Sequence, residues 1–84
     1  MSDTPWYVYM VQCRDGSLYT GIAKNLEKRV EEHNSGSTGA KYTRSRRPVH
    51  LVYQEEVPSR SAAAKREYEI KQLTAAGKNA LIHK

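Results

Sequence analysis

Three short runs of apolar and tyrosine residues are separated along the chain by polar turns and by two stretches of helical periodicity. Residues 6–13, 18–23 and 49–57 are rich in Val, Tyr and Leu, which predicts three β-strands. Val49 and Tyr53 are four positions apart in the third run, so we expect both side chains on one face of the sheet.

Two stretches have the pattern of amphipathic helices. The first covers residues 26–34, and Asn25 is its predicted N-cap. The second follows Pro58, is capped by one of the serines there, and continues to about Ala75. Gly77 is expected to stop that helix, and a short terminal turn or helix follows it.

Together these elements predict a fold of the α/β (α+β) class, in which helices flank a three-stranded, mainly antiparallel sheet. A chain of 84 residues has room for one domain, which we place at residues 1–84 with its core at 6–82. Residues 1–5 are expected to be frayed, and the Ser-, Gly- and Thr-rich residues 35–39 to form a mobile loop.

The turn between the first two strands decides which tyrosines share a face of the sheet. Residues 14–16 form a three-residue loop if Gly16 takes the left-handed conformation. Tyr9 and Tyr19 then lie on the same face. A two-residue turn would place them on opposite faces, so the loop length determines whether both can belong to one site.

Composition adds expectations about partners and location. A net charge of +5 and a pI near 9.5 favour an anionic partner. Cys13 is the single cysteine, so no intrachain disulfide forms, and its place in an apolar strand predicts a buried core residue. We recognise no signal peptide and no apolar run that could cross a bilayer, so we expect a cytoplasmic protein that does not bind membranes.

Arg29 and His33 are one helical turn apart and border the apolar stripe of the first predicted helix. Such a position suits a polar site at the edge of the core. It also suits a surface ion pair of Arg29 with Glu31 or Glu32, with His33 merely ending the helix. The spacing alone leaves both interpretations open.

Glu67 lies on the apolar side of the second helix, four residues after Ala63 and three before Ile70. A carboxylate moved into the interior loses several kcal/mol of hydration, so Glu67 must be paired, protonated or bound to a metal. The alternative to a metal site is an ion pair with Lys71, one turn later.

The stretch from residue 41 to 47 combines positive charge with an aromatic ring, and no Asp or Glu occurs between His33 and Gln54. A cluster of this kind binds phosphates and stacks on an exposed base, although it also fits a solvated loop. The candidate nucleic-acid-binding residues are Lys41, Tyr42, Arg44, Arg46 and Arg47.

The triplets Tyr7-Val8-Tyr9 and Tyr19-Thr20-Gly21, followed by Arg29, His33 and Glu67, together resemble the motifs of the GIY-YIG nuclease superfamily. The likeness extends over nearly the whole chain. It is greatest to the small stand-alone bacterial branch, an uncharacterised family similar to bacterial endonuclease domains. The resemblance implies a GIY-YIG endonuclease-like fold and a nuclease that depends on Mg²⁺ or Mn²⁺.

The resemblance also implies roles for individual residues. The catalytic residues matched in this way are Tyr9, Tyr19, Arg29, His33 and Glu67. Glu67 matches the metal-binding glutamate, and Asn79 is the candidate for a polar residue that often completes the site near the end of the domain. The general base stays open between a tyrosine with a pKa lowered by nearby cations and His33 as proton acceptor.

The implied function is hydrolysis of nucleic-acid phosphodiester bonds in DNA repair or processing; DNA is favoured over RNA as the partner, and the sequence leaves the choice between them open. Two residues depart from the signature: Tyr7 stands where it has Gly, and Thr20 replaces Ile. The sequence carries no appended binding domain, so we expect affinity to come from the domain itself or from a protein partner. The alternative is a non-catalytic nucleic-acid-binding adaptor that retains the nuclease fold.

Overall fold

The computed structural model describes residues 5–35 and 41–83; for Lys41 it describes the backbone only. The predicted frayed start and mobile loop lie outside these ranges, except for Pro5 and Ser35. The elements are β1 Trp6–Gln12, β2 Leu18–Ala23, α1 Leu26–Asn34, α2 Lys41–Arg44, β3 His50–Val57, α3 Arg60–Lys71 and α4 Ala75–Ile82. Among the described helices, none is long and apolar enough to cross a membrane.

The sheet has the strand order β2-β1-β3, with β1 antiparallel to both neighbours. Four consecutive residues of the central strand, from Val8 to Val11, are buried. Helices cover both faces of the sheet, which is why the central strand has a continuous apolar run instead of an alternating one. The predicted fold class, a three-stranded antiparallel sheet with flanking helices, is confirmed.

Two apolar clusters lie on opposite faces of the sheet. The first contains Val8, Met10, Val57, Ala63 and Ile70, so α3 packs on that face. The second contains Tyr9, Val11, Cys13, Ala23 and Val49, with Leu26 and Val30 of α1 packed against it. Alternate residues of β1 therefore supply two different cores, and Cys13 is a buried core residue as predicted.

The turn between β1 and β2 is the predicted three-residue loop, residues 14–16. Gly16 adopts a φ of +88°, a left-handed conformation that glycine accepts without steric cost. The register pairs Val11 with Tyr19, and Tyr9 faces the same side as Val11. Tyr9 and Tyr19 therefore share one face of the sheet.

A bulge in β3 changes the predicted orientation of its side chains. Met10 pairs with Tyr53 whereas Val11 pairs with Leu51, so one extra residue is inserted into β3 between these pairs. Tyr53 consequently packs on the face of α3, and Val49 on the face of α1. The prediction that these two residues face the same side was wrong, because the bulge reverses the alternation.

The helix boundaries agree with the sequence at their starts and differ near the C-terminus. Asn25 caps α1 and Ser59 caps α3, each through its side-chain oxygen. The second predicted helix is shorter than expected and ends at Lys71. Thr74 caps a separate α4, and Gly77 lies inside α4, so the prediction that Gly77 stops a helix was wrong.

Candidate active site

The Tyr9 hydroxyl lies at the centre of the candidate site, under α1. The side chain is 1% exposed, and its oxygen is 2.8 Å from Nε2 of His33. Arg29 hydrogen-bonds to the same hydroxyl. The ring fits against the sheet because Gly21 lies opposite; a Cβ at that position would be 2.6 Å from the Tyr9 oxygen.

The hydrogen bonds at both ring nitrogens together set the tautomer of His33. Arg29 can only donate, so the proton of the Tyr9 hydroxyl is directed to Nε2 of His33, which accepts it. The other ring nitrogen, Nδ1, then carries the proton and donates to Oγ1 of Thr43 at 2.9 Å. His33 and Thr43 are both fully buried, so this chain of three side chains is closed to water.

Burial sets the protonation states of the pair. It raises the pKa of Tyr9 to about 12, against the opposing effect of Arg29, while the negative charges of Tyr19 and Glu67 add smaller upward contributions. Burial lowers the pKa of His33 to about 4, helped by the positive charges of Arg29 and Arg47. Both groups are therefore neutral in the free protein at neutral pH.

Arg29 takes part in two interactions at once. Its Nη1 donates to Oε1 of Glu32 at 3.0 Å, which is one of the ion pairs considered from the sequence. Burial acts to lower the pKa of Arg29, but the hydrogen bonds to Glu32 and Tyr9 outweigh it and hold the pKa above its ordinary value. The surface ion pair and the polar site at the core edge are therefore both present.

Tyr19 connects His33 to the basic segment, which we define as residues 41–47. Its ring centroid is 5.3 Å from that of His33 in an edge-on arrangement and 5.9 Å from that of Tyr42 in a stacked one. Arg46 lies over the ring of Tyr42, with its Cζ 4.1 Å from the ring centroid. The two tyrosines thus form a continuous aromatic surface beside the candidate site.

Two arginines of the basic segment fasten it to the rest of the protein. Arg46 pairs with Asp15 at 3.2 Å and donates to the carbonyl of Tyr42 at 2.8 Å. Arg47 donates from Nε to the carbonyl of His33 at 2.6 Å. Arg44 is exposed, and the side chain of Lys41 lies outside the described residues. The structural roles of Arg46 and Arg47 were not foreseen from the sequence.

Glu67 lies on α3, which packs on the face of the sheet opposite to that of Tyr9. Its side chain is 23% exposed and pairs with Lys71 at 3.1 Å, as the sequence alternative anticipated. Its charge is near enough to raise the pKa of Tyr9. Within residues 5–35 and 41–83, no group of three or more His, Cys, Asp or Glu side chains is arranged to hold a metal ion. In the described part of the chain Glu67 thus belongs to no cluster of three such ligands, so a cation held there would take its other ligands from water and substrate.

Asn79 is not brought into this cluster. It is exposed on α4 and lines a cleft with Gln12 and Ser17, next to the turn between β1 and β2. The lining of that cleft includes neither Tyr9 nor Glu67.

Thr43 is the member of the site that sequence reasoning missed. It is fully buried and contacts His33, although it lies in a segment that reads as exposed and basic. In the sequence it is a polar residue between Tyr42 and Arg44, which does not distinguish it from a solvated loop residue.

Comparisons with known proteins identify a family and several relatives for this chain. The family model described as the GIY-YIG catalytic domain matches residues 5–79. A UPF0213 protein of Desulfotalea psychrophila is 58% identical over 82 residues, covering 96% of this chain and 74% of that protein. A UPF0213 protein of Staphylococcus aureus is 62% identical over 76 residues, covering 90% of this chain and 92% of that protein.

Two solved structures are similar over most of the chain. The solution NMR structure of a UPF0213 protein from Bacillus halodurans superposes with a TM-score of 0.60 at 43% identity, covering 94% of this chain and 83% of that one. An NMR structure from E. faecalis gives a TM-score of 0.56 at 46% identity, covering 83% of this chain and 74% of that one. With its two tyrosine triplets paired across one hairpin and a nuclease-like fold around them, the chain belongs to the GIY-YIG catalytic-domain family, among the UPF0213 proteins.

Proposed function

We propose that this protein is a metal-dependent nuclease that hydrolyses phosphodiester bonds, in DNA rather than RNA. The observation that carries the proposal is the Tyr9 hydroxyl, held between the Arg29 guanidinium and His33, with the Glu67 carboxylate near enough to affect its pKa. One site then combines a phosphate-binding cation, a polarised hydroxyl and a metal-binding carboxylate.

Arg29 is the group proposed to bind the scissile phosphate. Its guanidinium is a rigid fork of donors that matches phosphate oxygens, and its raised pKa keeps it charged at any working pH. Glu32 and Tyr9 fix its orientation before substrate arrives. A preoriented cation of this kind stabilises charge that develops on the phosphate in the transition state.

The two tyrosines differ in the work they can do. Tyr9 is buried and keeps its proton at neutral pH, so its role in the free protein is to hold Arg29 and to present an oxygen dipole. Tyr19 is partly exposed on the same face of the sheet, which suits it to orient the attacking water. Tyr9 would act as a base only after cationic charge has lowered its pKa.

Glu67 is the residue proposed to hold Mg²⁺ or Mn²⁺, with water and substrate phosphate as the remaining ligands. When bound, the cation supplies charge stabilisation at the phosphate and at the leaving oxygen. Glu67 would have to exchange its ion pair with Lys71, which is half-exposed and therefore costs at most about 1 kcal/mol to break.

Nucleic acid is proposed to reach the site across the basic segment. The stacked rings of Tyr19 and Tyr42 and the positive charge of Arg44 and Arg46 support this path. A role in DNA repair or processing in the cytoplasm follows as part of the proposal, with a protein partner as an additional source of affinity.

The test is a cleavage assay with Mg²⁺ or Mn²⁺ on single-stranded, duplex, flap and branched DNA and RNA. Wild type is expected to cleave at least one substrate, and Glu67→Gln to cleave none. Glu69→Gln is the matched control, because it also removes an α3 carboxylate from an ion pair but lies on the exposed side. Wild-type activity no higher than that of Glu67→Gln on every substrate would refute the proposal.

The second candidate function is a nucleic-acid-binding adaptor without turnover. The burial of Tyr9 and its pKa of about 12 favour it, because this hydroxyl does not reach bulk water. Binding of DNA by wild type, with equal and negligible cleavage by wild type and Glu67→Gln, would support the adaptor.

A further inference from the structure

A groove of about 330 Å³ lies along one side of α1, where Asn25, Lys28, Arg29 and Glu32 line it. Trp6 and Ile22 contribute its apolar lining, and Lys24 and Lys28 are exposed along it. Arg29 lines the same groove and also hydrogen-bonds to Tyr9. The groove is therefore continuous with the candidate active site.

The charges around this groove suit an anion. The ammonium of Lys24 is 5.5 Å from the ring centroid of Trp6, and the guanidinium of Arg60 is 5.8 Å from it. Both distances are within the range of cation–π attraction, so two cations lie next to the Trp6 ring that lines the groove. Glu32 is the acidic residue in the groove lining, and its charge is already paired with Arg29 at 3.0 Å.

The two lysines of the groove lie at the N-terminal end of α1, whereas the basic segment contacts its C-terminal end. Asn25 and Lys28 are at the start of the helix, whereas His33, which accepts from Arg47, is at its end. Nine residues at 1.5 Å each make α1 about 14 Å long. In a B-DNA duplex each strand advances about 3.4 Å along the helix axis per phosphate, so this length corresponds to roughly four phosphates of one strand of a duplex.

We infer that the groove is a second phosphate-binding site, in which Lys24, Lys28 and Arg60 hold the backbone of the same nucleic acid that the basic segment binds. The strand then passes along α1 and over Arg29, with contacts on both sides of the bond to be cut. The inference rests on the proposed function for the identity of the ligand. An acidic protein segment is the competing occupant.

The experiment measures binding of fluorescent DNA oligonucleotides in EDTA, at several salt concentrations, so that cleavage plays no part. The groove variant is Lys24→Gln/Lys28→Gln, and the control with equal charge loss is Lys65→Gln/Lys78→Gln on α3 and α4. Loss of two phosphate contacts should reduce the slope of log affinity against log salt by roughly 1.5 to 2 in the groove variant. The control should change the slope by less than about 0.5.

Two further measurements use the wild-type protein and the groove variant. Trp6 is the only tryptophan, so its fluorescence should change when DNA binds wild type and change less in the groove variant. Wild-type affinity should rise with oligonucleotide length up to roughly four to six nucleotides, and the groove variant should level off at shorter lengths.

Equal salt slopes for the groove and control variants would overturn the inference. Trp6 fluorescence that does not respond to DNA would also overturn it, and so would binding of polyglutamate in the groove in preference to DNA. These outcomes are independent of the cleavage assay. If DNA binds in the groove but is not cleaved, the proposed nuclease activity is refuted and the phosphate-binding site stands. If DNA is cleaved but the groove variant has the same salt slope as wild type, the phosphate-binding site is refuted and the nuclease stands.

Discussion

The hydroxyl of Tyr9 and the imidazole of His33 form a buried 2.8 Å hydrogen bond that joins the central strand to the first helix. Burial moves the pKa of the tyrosine up to about 12 and that of the histidine down to about 4, so both groups are neutral over the whole physiological range. The bond therefore links the proposed chemistry of the site to the stability of the fold.

Acid should destabilise the protein through His33. The unfolded chain binds a proton at His33 near pH 6.5, whereas the folded protein resists it until about pH 4. The contribution of neutral His33 to the free energy of unfolding should therefore be at its maximum above pH 6.5. It should fall by up to about 3 kcal/mol as the pH drops from 6.5 to 4. Denaturant titrations across this range measure the effect.

The exposed His50 provides the control for this pH dependence. His50→Gln should retain the whole decrease, since its side chain is solvated in both states. Asp15, whose pKa is lowered mainly by hydrogen bonds from Ser17, acts below pH 3.8 and lies outside the range. An unfolding free energy that is constant from pH 6.5 to 4 would contradict the assignment of His33 as a buried neutral group.

Thr43 should fix the tautomer of His33. In Thr43→Val the acceptor for Nδ1–H is lost, so His33 becomes a mixture of tautomers and cleavage slows, whereas Thr43→Ser keeps the hydroxyl and should behave as wild type. Nitrogen-15 NMR shifts of the imidazole read the tautomer directly. Identical imidazole spectra for the Val and Ser variants would show that Thr43 has no such role.

Arg29→Ala should reduce the rate of cleavage of bound DNA by about a hundredfold to a thousandfold, the cost of losing one transition-state donor. Arg29→Lys should recover little of it, because lysine keeps the charge but not the planar fork that contacts Glu32 and Tyr9 together. Single-turnover kinetics at saturating protein separate this effect from binding. A loss confined to affinity, with the rate of bound substrate unchanged, would argue against transition-state stabilisation by Arg29.

Arg44 and Arg47 should respond differently to the same change. Arg44→Gln should weaken DNA binding and lower the salt slope by about one while leaving stability unchanged, because its side chain is exposed. Arg47→Gln should also destabilise the fold by about 1 kcal/mol or more, through loss of its hydrogen bond to the His33 carbonyl. Salt-dependent binding and thermal melting of the two variants make the comparison. Equal stability losses would mean that Arg47 does not fasten the segment.

Thr20→Val should stabilise the protein. Thr20 is 3% exposed, and among the described residues its hydroxyl has no hydrogen-bond partner. Removing a buried hydroxyl of this kind should raise the unfolding free energy by about 1 kcal/mol, or the melting temperature by roughly 4 to 8 °C. Thr74→Val, which removes the cap of α4, should have the opposite sign. A decrease in stability for Thr20→Val would indicate that its hydroxyl is satisfied.

The sequence predicted the parts of this fold that depend on local chemistry. The left-handed Gly16 and the caps Asn25 and Ser59 follow from residues within one turn of each other, and all three are observed. The bulge in β3 and the start of α4 depend on packing between distant segments. Val49 and Gly77 were therefore misplaced.

The candidate site divides in the same way. The placement of Arg29 and His33 at the core edge follows from helical periodicity. The contact between His33 and Thr43, and the anchoring of Arg47, require the basic segment to fold back onto α1, and no local pattern specifies that return. Arginines that look alike in the sequence consequently have different roles in the structure.

The ring of Tyr9 restricts position 21 to glycine. The phenol occupies the volume that a side chain at position 21 would need, and a Cβ there would lie within 2.8 Å of ring carbon Cζ as well as of the oxygen. Replacement of Tyr9 by phenylalanine would not relieve that overlap, so a descendant could lose this glycine only by also displacing the whole ring. The ring of Tyr9 thus blocks a side chain at position 21, and a lineage that abandoned the chemistry of the hydroxyl would still retain the glycine for as long as an aromatic ring stood across from it.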